Sequence, residues 1–495
     1  MSFNNIFVAN RGEIARRVIR SAKESGYQTS VAYSPHDASA LFVREADLAF
    51  AFAGNTPKES YLDIEQILNA ARKAGASAVH PGYGFLSENA SFSAAVTEAG
   101  MKFIGPGPEA IELLGDKTKA RALARKLGIP TSDGTTQELK SDVEAIESAR
   151  AIGYPVLLKA AAGGGGRGMR LVEREEELLQ NLERARDEAR SAFGDDRIYL
   201  EKYIVKPRHI EFQMLADRHG NAIHLGEREC SIQRRHQKLI EESTSVILTP
   251  ELRREMGEAA IALITSAKYE GAATVEFLVS QDLKYYFLEV NTRLQVEHPV
   301  TEFVTGLDLV REQFRIAEGE KLTFSPFLTP PPFQGGGRGV VAPHGHSIEV
   351  RIQSEDVWND FFPSLGKIEY VRHPGGAFVR NDSAMFAGLV VSGFYDSLLS
   401  KLIVWDRNRE EAIRRMTRAL EEMRVAGVAT TIPFGLFAMR NARFQSGELS
   451  TAFVEEEFTP EARERELARY TAHAEPYFTA VQRVQGERKA RAEFV

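Results

Sequence analysis

Two carboxylates and an amide gather late in the chain. Glu289 and Asn291 alternate within Tyr285-Tyr286-Phe287-Leu288-Glu289-Val290-Asn291, so they share one face of an extended strand. The run Thr274-Val275-Glu276-Phe277-Leu278 precedes it, and a turn about Gln281-Asp282 predicts a hairpin that sets Glu276 opposite them. Such hard oxygen ligands suit Mg²⁺ (or Mn²⁺) holding nucleotide phosphates, with water completing the shell. The plainer alternative is a polar, solvated sheet face. Carboxylates buried without a cation would cost on the order of several kcal/mol each. The odd positions continue as Arg293, Gln295 and Glu297. An extended course through them predicts one row of metal, anion and base residues.

A glycine run offers a second chemistry. Lys159 to Arg170 contains Gly163-Gly164-Gly165-Gly166-Arg167-Gly168, flanked by the strand-like runs Tyr154 to Lys159 and Met169 to Val172. Without Cβ atoms at Gly164, Gly165 and Gly166, backbone N–H groups of a hairpin flap can approach phosphates closely. Lys159 and Arg167 add positive charge. A merely structural hairpin is the alternative, and the pattern is not G-x-x-x-x-G-K-[ST]. Further on, Glu201 in Tyr199-Leu200-Glu201-Lys202-Tyr203-Ile204 suits a nucleobase amine and a ribose, or is half of a surface pair with Lys202. His209-Ile210-Glu211-Phe212-Gln213-Met214 alternates, so His209, Glu211 and Gln213 form either a site wall or an ordinary solvated face. The basic run from Arg228 to Lys238, with Gln233 and His236 inside it, reads as an anion site or a solvated loop. It lacks the interleaved aromatics of a single-strand binder.

These residues need a scaffold. The 495 residues suggest roughly three domains. Early in the chain short apolar runs alternate with amphipathic stretches: a strand at Asn5 to Ala9, a helix at Glu13 to Glu24 stopped by Gly26, and a strand at Thr29 to Tyr33. A helix at Tyr61 to Ala74, a strand at Ala78 to His80 and Phe103-Ile104-Gly105 follow. That order predicts a parallel sheet covered by helices. The first strand–helix turn, Asn10-Arg11-Gly12-Glu13, lacks the dinucleotide glycine pattern. A helix over Asp116 to Leu127 is capped by Asp116. A Pro/Gly-rich break spans 329–337, and a charged tail from Pro460 to Val495 predicts a solvated helix.

Net charge is −7 and the isoelectric point about 6.0, so no basic domain advertises nucleic acid. Cys230 is the single cysteine, which excludes an intrachain disulfide. No apolar run is long enough to span a membrane, and a cytoplasmic location is the default expectation.

The chain resembles biotin carboxylase, of the ATP-grasp superfamily. The matching blocks occur in the family's order: Asn10 to Ala15, His80 to Asn89, Gly163 to Arg170, Ser231 to Lys238 and Glu289 to Pro299. The likeness covers most of Met1 to about Val454. It implies a mixed α/β and α+β architecture with a Rossmann-like N-terminal domain over 1–115 and an ATP-grasp domain over 116–326, whose mobile glycine-rich lid spans about 131–203. A Pro/Gly-rich loop over 327–346, a C-terminal biotin carboxylase domain over 347–454 and a charged tail over 455–495 complete it.

By motif, Lys117, Lys159, Glu201, Lys202, Ile204, His209, Gln233 and His236 resemble nucleotide contacts, and Glu276, Glu289 and Asn291 the magnesium ligands. Arg293, Gln295, Val296 and Lys238 match the bicarbonate and phosphate site. Glu297 matches the base that deprotonates bicarbonate, and Tyr83 and Arg351 match biotin contacts. The resemblance implies ATP, a divalent cation and biotin carried on a partner, since no Met-Lys-Met biotinylation site occurs. The implied partners are a biotin carboxyl carrier protein, a second copy of the chain in a homodimer, and a carboxyltransferase subunit. The alternatives are another ATP-grasp ligase that forms an acyl phosphate for an amine acceptor, or a silent nucleotide-binding scaffold. Tyr83 and Arg351 weigh against the first, and the intact Glu276, Glu289, Asn291 and Glu297 against the second. Departures are Ala162 where Ser is common, Phe394 where Tyr is common, a longer stretch between Leu322 and His346, and the tail.

Overall fold

The computed structural model describes residues 3–135, 138–160, 169–193, 195–322 and 343–472. The first unit is built on five parallel strands: β1 (Asn5–Val8), β2 (Gln28–Tyr33), β3 (Leu48–Ala51), β4 (Ala78–His80) and β5 (Lys102–Phe103), in the order β3-β2-β1-β4-β5. Strand alternation feeds two cores. Ile6 and Val8 pack with Ile14, Val18 and Ala22 of α1 (Gly12–Glu24), while Phe7 packs with Ile67, Leu68 and Ala71 of the helix Ile64–Lys73. That helix starts later than the sequence predicts. Asp63 caps it by accepting from the Gln66 N–H, and the Tyr61 hydroxyl instead donates to Asp37 at 2.6 Å. Asp116 does cap α2 (Lys117–Lys126), as expected, accepting from Thr118 and Lys119.

A small antiparallel sheet follows: β6 (Val156–Ala160), β7 (Met169–Val172) and β8 (Ile198–Lys202), in the order β7-β6-β8. Its own core is completed by Ala145, Ala149, Leu178, Leu182 and Ala185 from two helices. β6 and β7 pair from Val156↔Val172 to Lys159↔Met169, which is the hairpin the sequence predicts. The expected phosphate-binding flap between them, with Gly164, Gly165 and Gly166, lies outside the described residues.

Eight of the remaining strands form one sheet. They are β9 (Arg208–Ala216), β10 (Ala222–Arg234), β11 (Gln237–Ser243), β12 (Gly271–Val279), β13 (Tyr285–Asn291), β14 (His346–Gln353), β15 (Val379–Ser383) and β16 (Leu398–Asp406). Their order is β13-β12-β9-β10-β11-β14-β16-β15. The sheet therefore runs on from strands β9–β13 into the C-terminal segment through the β11–β14 pairing. Two further helices matter below: α3 (His298–Thr305) and α4 (Arg409–Glu422).

The β11–β14–α4 junction is held by a buried carboxylate. Glu242 accepts from Arg409 Nε at 2.7 Å and from His346 at 2.8 Å. Burial alone would raise its pKa, but Arg409 and His346 overcome that and hold it down at about 2, from the usual 4.5. The depressed folded value stabilises the fold above about pH 4.5, and that contribution is lost as pH falls towards about 2. It is on the order of 3 kcal/mol. Glu242→Gln is expected to flatten that part of the acid-unfolding curve, followed by circular dichroism between pH 5 and 2. An unchanged acid limb would refute the assignment.

The tail differs from expectation. Residues 460–472 are helical but docked, with Glu466 buried against Arg440 at 2.8 Å and Tyr470 packed on the C-terminal core. Among the described residues no helix is long and apolar enough to cross a membrane.

Candidate functional site

A cleft of about 1200 Å³ opens between the three units. It gathers Tyr83, Lys117, Lys159, Glu201, Lys202, Ile204, His209, Gln233, His236, Lys238, Glu276, Glu289, Asn291, Arg293, Gln295, Val296 and Arg351. Chain positions far apart thus meet in one place.

The hairpin expectation holds for the carboxylates. Glu276 and Glu289 are direct partners across β12 and β13, and Asn291 stands two residues on, opposite Thr274. Protein cations face them. Lys117 Nζ lies 2.7 Å from Glu289, and Lys238 Nζ 3.0 Å from Glu276. Two carboxylates and an amide oxygen on adjacent strands are a donor set that fits Mg²⁺. His209, Glu211 and Glu276 also converge closely enough to hold an ion. There the ammonium of Lys238 already supplies the positive charge.

Lys238 is the hub. Its Nζ donates to Glu211 at 2.5 Å, to Glu297 at 2.6 Å and to Glu276 at 3.0 Å. Behind it Arg228 is fully buried. It donates to Glu211 at 2.5 Å, Gln213 at 2.7 Å, Thr274 at 2.9 Å and Thr301 at 3.0 Å. The basic run therefore splits, against the expectation of one anion site. Arg228 is internal, Arg234 and Arg235 pair with Asp360, and Gln233, His236 and Lys238 face the cleft. The split follows from strand alternation and from a tight turn. Arg235 and His236 both take positive φ (50° and 65°) between the paired Arg234 and Gln237. This two-residue hairpin geometry normally selects Asn-Gly. Backbone strain of this kind concentrates where side chains are aimed at a ligand.

The expected row from Asn291 to Glu297 does not form. β13 ends at Asn291, the chain turns, and Glu297 immediately precedes α3 with φ −81° and ψ 12°. Glu297 is fully buried and reaches the cleft through Lys238 and through Arg351 Nη2 at 2.9 Å. Burial and Glu211 push its pKa up, but Lys238, Arg351 and Arg228 prevail and keep it below the usual carboxylate value. It is an ionised carboxylate inside a low-dielectric site. Gln295 turns back to Glu276 at 2.9 Å, and Val296 accepts from Lys401 through its carbonyl at 2.9 Å. Arg293 is held by Glu88 at 2.8 Å and by the Asn291 amide oxygen at 3.0 Å.

At the other end Glu201 takes Lys159 at 2.6 Å and a close Arg121. Lys202 Nζ donates to the carbonyls of Gly153 and Tyr154 at 2.8 and 3.0 Å, tying β8 to the turn before β6. Burial disfavours charge on His209, yet Glu276 outweighs it and raises the pKa to about 9. Burial, with Lys159 nearby, lowers that of His236. Tyr83 hydrogen-bonds Glu13, and Arg351 Nε donates to Glu241 at 2.6 Å.

Three neighbours escape a reading of the sequence: Glu88, Arg121 and Glu241. Glu211 does not, being on the His209–Gln213 face. Glu88 sits inside the His80 to Asn89 block. Nothing local marks Arg121 or Glu241.

Comparison with known proteins fits this geometry. Residues 2–111 match the family model "Biotin carboxylase, N-terminal domain", 116–325 "Carbamoyl-phosphate synthase L chain, ATP binding domain", and 349–456 "Biotin carboxylase C-terminal domain". The chain is 51% identical over 454 residues to a pyruvate carboxylase subunit of Methanothermobacter thermautotrophicus, covering 92% of this chain and 90% of that one. It is 48% identical over 456 residues to biotin carboxylase of Nostoc sp., covering 92% and 99%. Among solved structures it is similar to the biotin carboxylase domain dimer of Hydrogenobacter thermophilus 2-oxoglutarate carboxylase, in complex with MgADP, ADP and bicarbonate. There the TM-score is 0.87 and the identity 46%, over 94% of this chain and 99% of that one.

Proposed function

The chain belongs to the biotin carboxylase family of ATP-dependent ligases, and from that premise we propose how its cleft divides the work. The reaction is the ATP- and bicarbonate-dependent carboxylation of biotin, the first half-reaction of a biotin-dependent carboxylase. The observation that carries the assignment is Glu297, a buried carboxylate kept ionised between Lys238 and Arg351.

Bicarbonate is a poor nucleophile until its proton is removed. Glu297 takes that proton, while Lys238 and Arg293 hold the anion beside Gln295 and the Val296 backbone. The dianion attacks the γ-phosphorus of ATP, and ADP leaves. Lys117, Lys159 and His209 neutralise charge that develops on the phosphates. Glu201, Lys202, Ile204, Gln233 and His236 receive the nucleoside. Glu276, Glu289 and Asn291 would hold Mg²⁺, which supplies charge neutralisation at the phosphates. Carboxyphosphate yields CO₂ and phosphate. Phosphate then removes the ureido N–H proton, while Arg351 stabilises the oxyanion and Tyr83 orients the ring. Carboxyphosphate hydrolyses readily, so the site must exclude water while it exists.

The same proposal has biotin arrive on a biotin carboxyl carrier protein or domain, with a carboxyltransferase subunit taking the product, in the cytoplasm. The related solved structure that is itself a dimer supports a homodimer. The family-model limits support a division of the chain near residues 115 and 347.

The test is ADP release with Mg²⁺ and bicarbonate, with and without free biotin. Bicarbonate-dependent release stimulated by biotin is the expected result. ATP cleavage indifferent to both would overturn the reading.

A further inference from the structure

Behind the cleft, one face of the large sheet holds more carboxyl groups than cations. Register sets Glu241 of β11 opposite Glu349 of β14, and Arg351 of β14 opposite Lys401 of β16. Residues 349 and 351 are two apart, so all four side chains share that face. Glu297 and Glu13 close its ends. Arg351 bridges Glu241 (Nε, 2.6 Å) and Glu297 (Nη2, 2.9 Å), and Lys401 lies 3.3 Å from Glu13. Four carboxyl groups thus face three cations, Lys238 reaching Glu297 at 2.6 Å.

Glu349 is the odd member. It is fully buried, and neither of its oxygens has a hydrogen-bond partner. An ionised carboxylate in that position would cost on the order of several kcal/mol. Glu349 is therefore a neutral acid, and burial with Glu241 nearby pushes its pKa well up despite Lys401. Glu241 is bonded through one oxygen only, the other having no partner. It is faced by Arg351 and Glu349 from β14, Lys238 from its own strand, Glu297 from the turn before α3, and Cys230 from β10.

We propose that Glu241 is the charge-balancing partner of Glu297: the two share Arg351, and Glu241 carries the negative charge against that guanidinium whenever Glu297 holds the bicarbonate proton. This rests on the functional reading above. As the bicarbonate O–H bond breaks, an O–H bond forms on Glu297 and its charge is lost. Repulsion on Glu241 falls with it, and Glu241 releases its own proton to solvent. Arg351 keeps a carboxylate partner throughout and stays aimed at the biotin oxygen. Glu241 is thus a positioning residue that acts through Arg351. Burial and Glu297 raise its pKa to about 7 against the pull of Arg351, so the exchange lies within reach of neutral pH. Two carboxyl groups with environments that push their pKa values apart are the usual mark of paired acid–base roles.

The experiment is the pH profile of kcat for biotin carboxylation in the full-length protein and in Glu241→Gln and Glu241→Asp. Wild-type protein is expected to break near pH 7. Glu241→Gln, which cannot ionise, is expected to lose that break and about 10²-fold in kcat, with KM for ATP unchanged. Glu241→Asp is expected to restore the break. An infrared difference spectrum between wild type and Glu241→Gln, on the acid side of the break, reads the other half: a carboxylic-acid C=O band lost with the Glu241 side chain. Wild-type kcat and an unshifted break in Glu241→Gln would overturn the proposal, as would a carboxylic-acid band unchanged in that variant. If wild-type protein releases no ADP in response to bicarbonate, the functional reading fails instead.

Discussion

Glu297→Gln is expected to bind ADP as tightly as wild type and to lose roughly 10²–10⁴-fold in biotin carboxylation. The side chain keeps its shape, and one of Lys238 and Arg351, which donate to different oxygens of Glu297, can still donate to the amide oxygen. What is lost is the proton acceptor. The proposed nucleotide contacts lie elsewhere in the cleft, on α2, β6, β8, β9 and the β10–β11 turn, so affinity is spared. Calorimetric titration with ADP, set beside the carboxylation rate, separates the two. A variant with near-normal turnover would remove Glu297 from the proton transfer. One that also lost ADP binding would make its role structural.

Arg228→Ala is expected to destabilise the protein by about 3–5 kcal/mol. The guanidinium is fully buried, and its four partners sit on β9, β12 and α3. Truncation leaves Glu211 with Lys238 and the protonated His209, where Arg228 had been a third cation. The measurement is the urea midpoint of unfolding, monitored by intrinsic fluorescence. Glu211→Gln in the same background should recover part of the loss, because the carboxylate charge that Arg228 balanced is then gone. A wild-type midpoint for the single variant would show that the pair is energetically idle.

Much of this was legible in the residues because the relevant periods are short. Alternation placed Glu276 opposite Glu289, put His209 with Glu211 and Gln213, and set Arg351 on a site face, since strand geometry allows no other phase. The Asp116 cap was equally local. The expectations that failed needed knowledge of where a strand stops. Nothing before the His298-Pro299 helix start announces that β13 ends at Asn291, so Glu297 was expected in a row it never joins. The basic run read as one patch because Arg-His is not a usual hairpin turn. Glu241 was invisible because its meaning comes from a strand more than a hundred residues away. The tail helix looked solvated, yet a few residues, Ala462, Glu466 and Tyr470, dock it.

The β11–β14 ladder has a further bearing on how the molecule is joined. Ile240, Glu241, Glu242 and Ser243 pair with Val350, Glu349, Ile348 and Ser347, and Glu241 and Glu349 come from opposite sides of the Pro/Gly-rich stretch. The parts of the chain before and after that stretch are thus welded by the ladder and not only by the covalent chain between them. A gene divided there would yield two polypeptides, each baring one raw sheet edge that only the other completes. Neither fragment alone would own the proton-handling face, which comes into being at the seam.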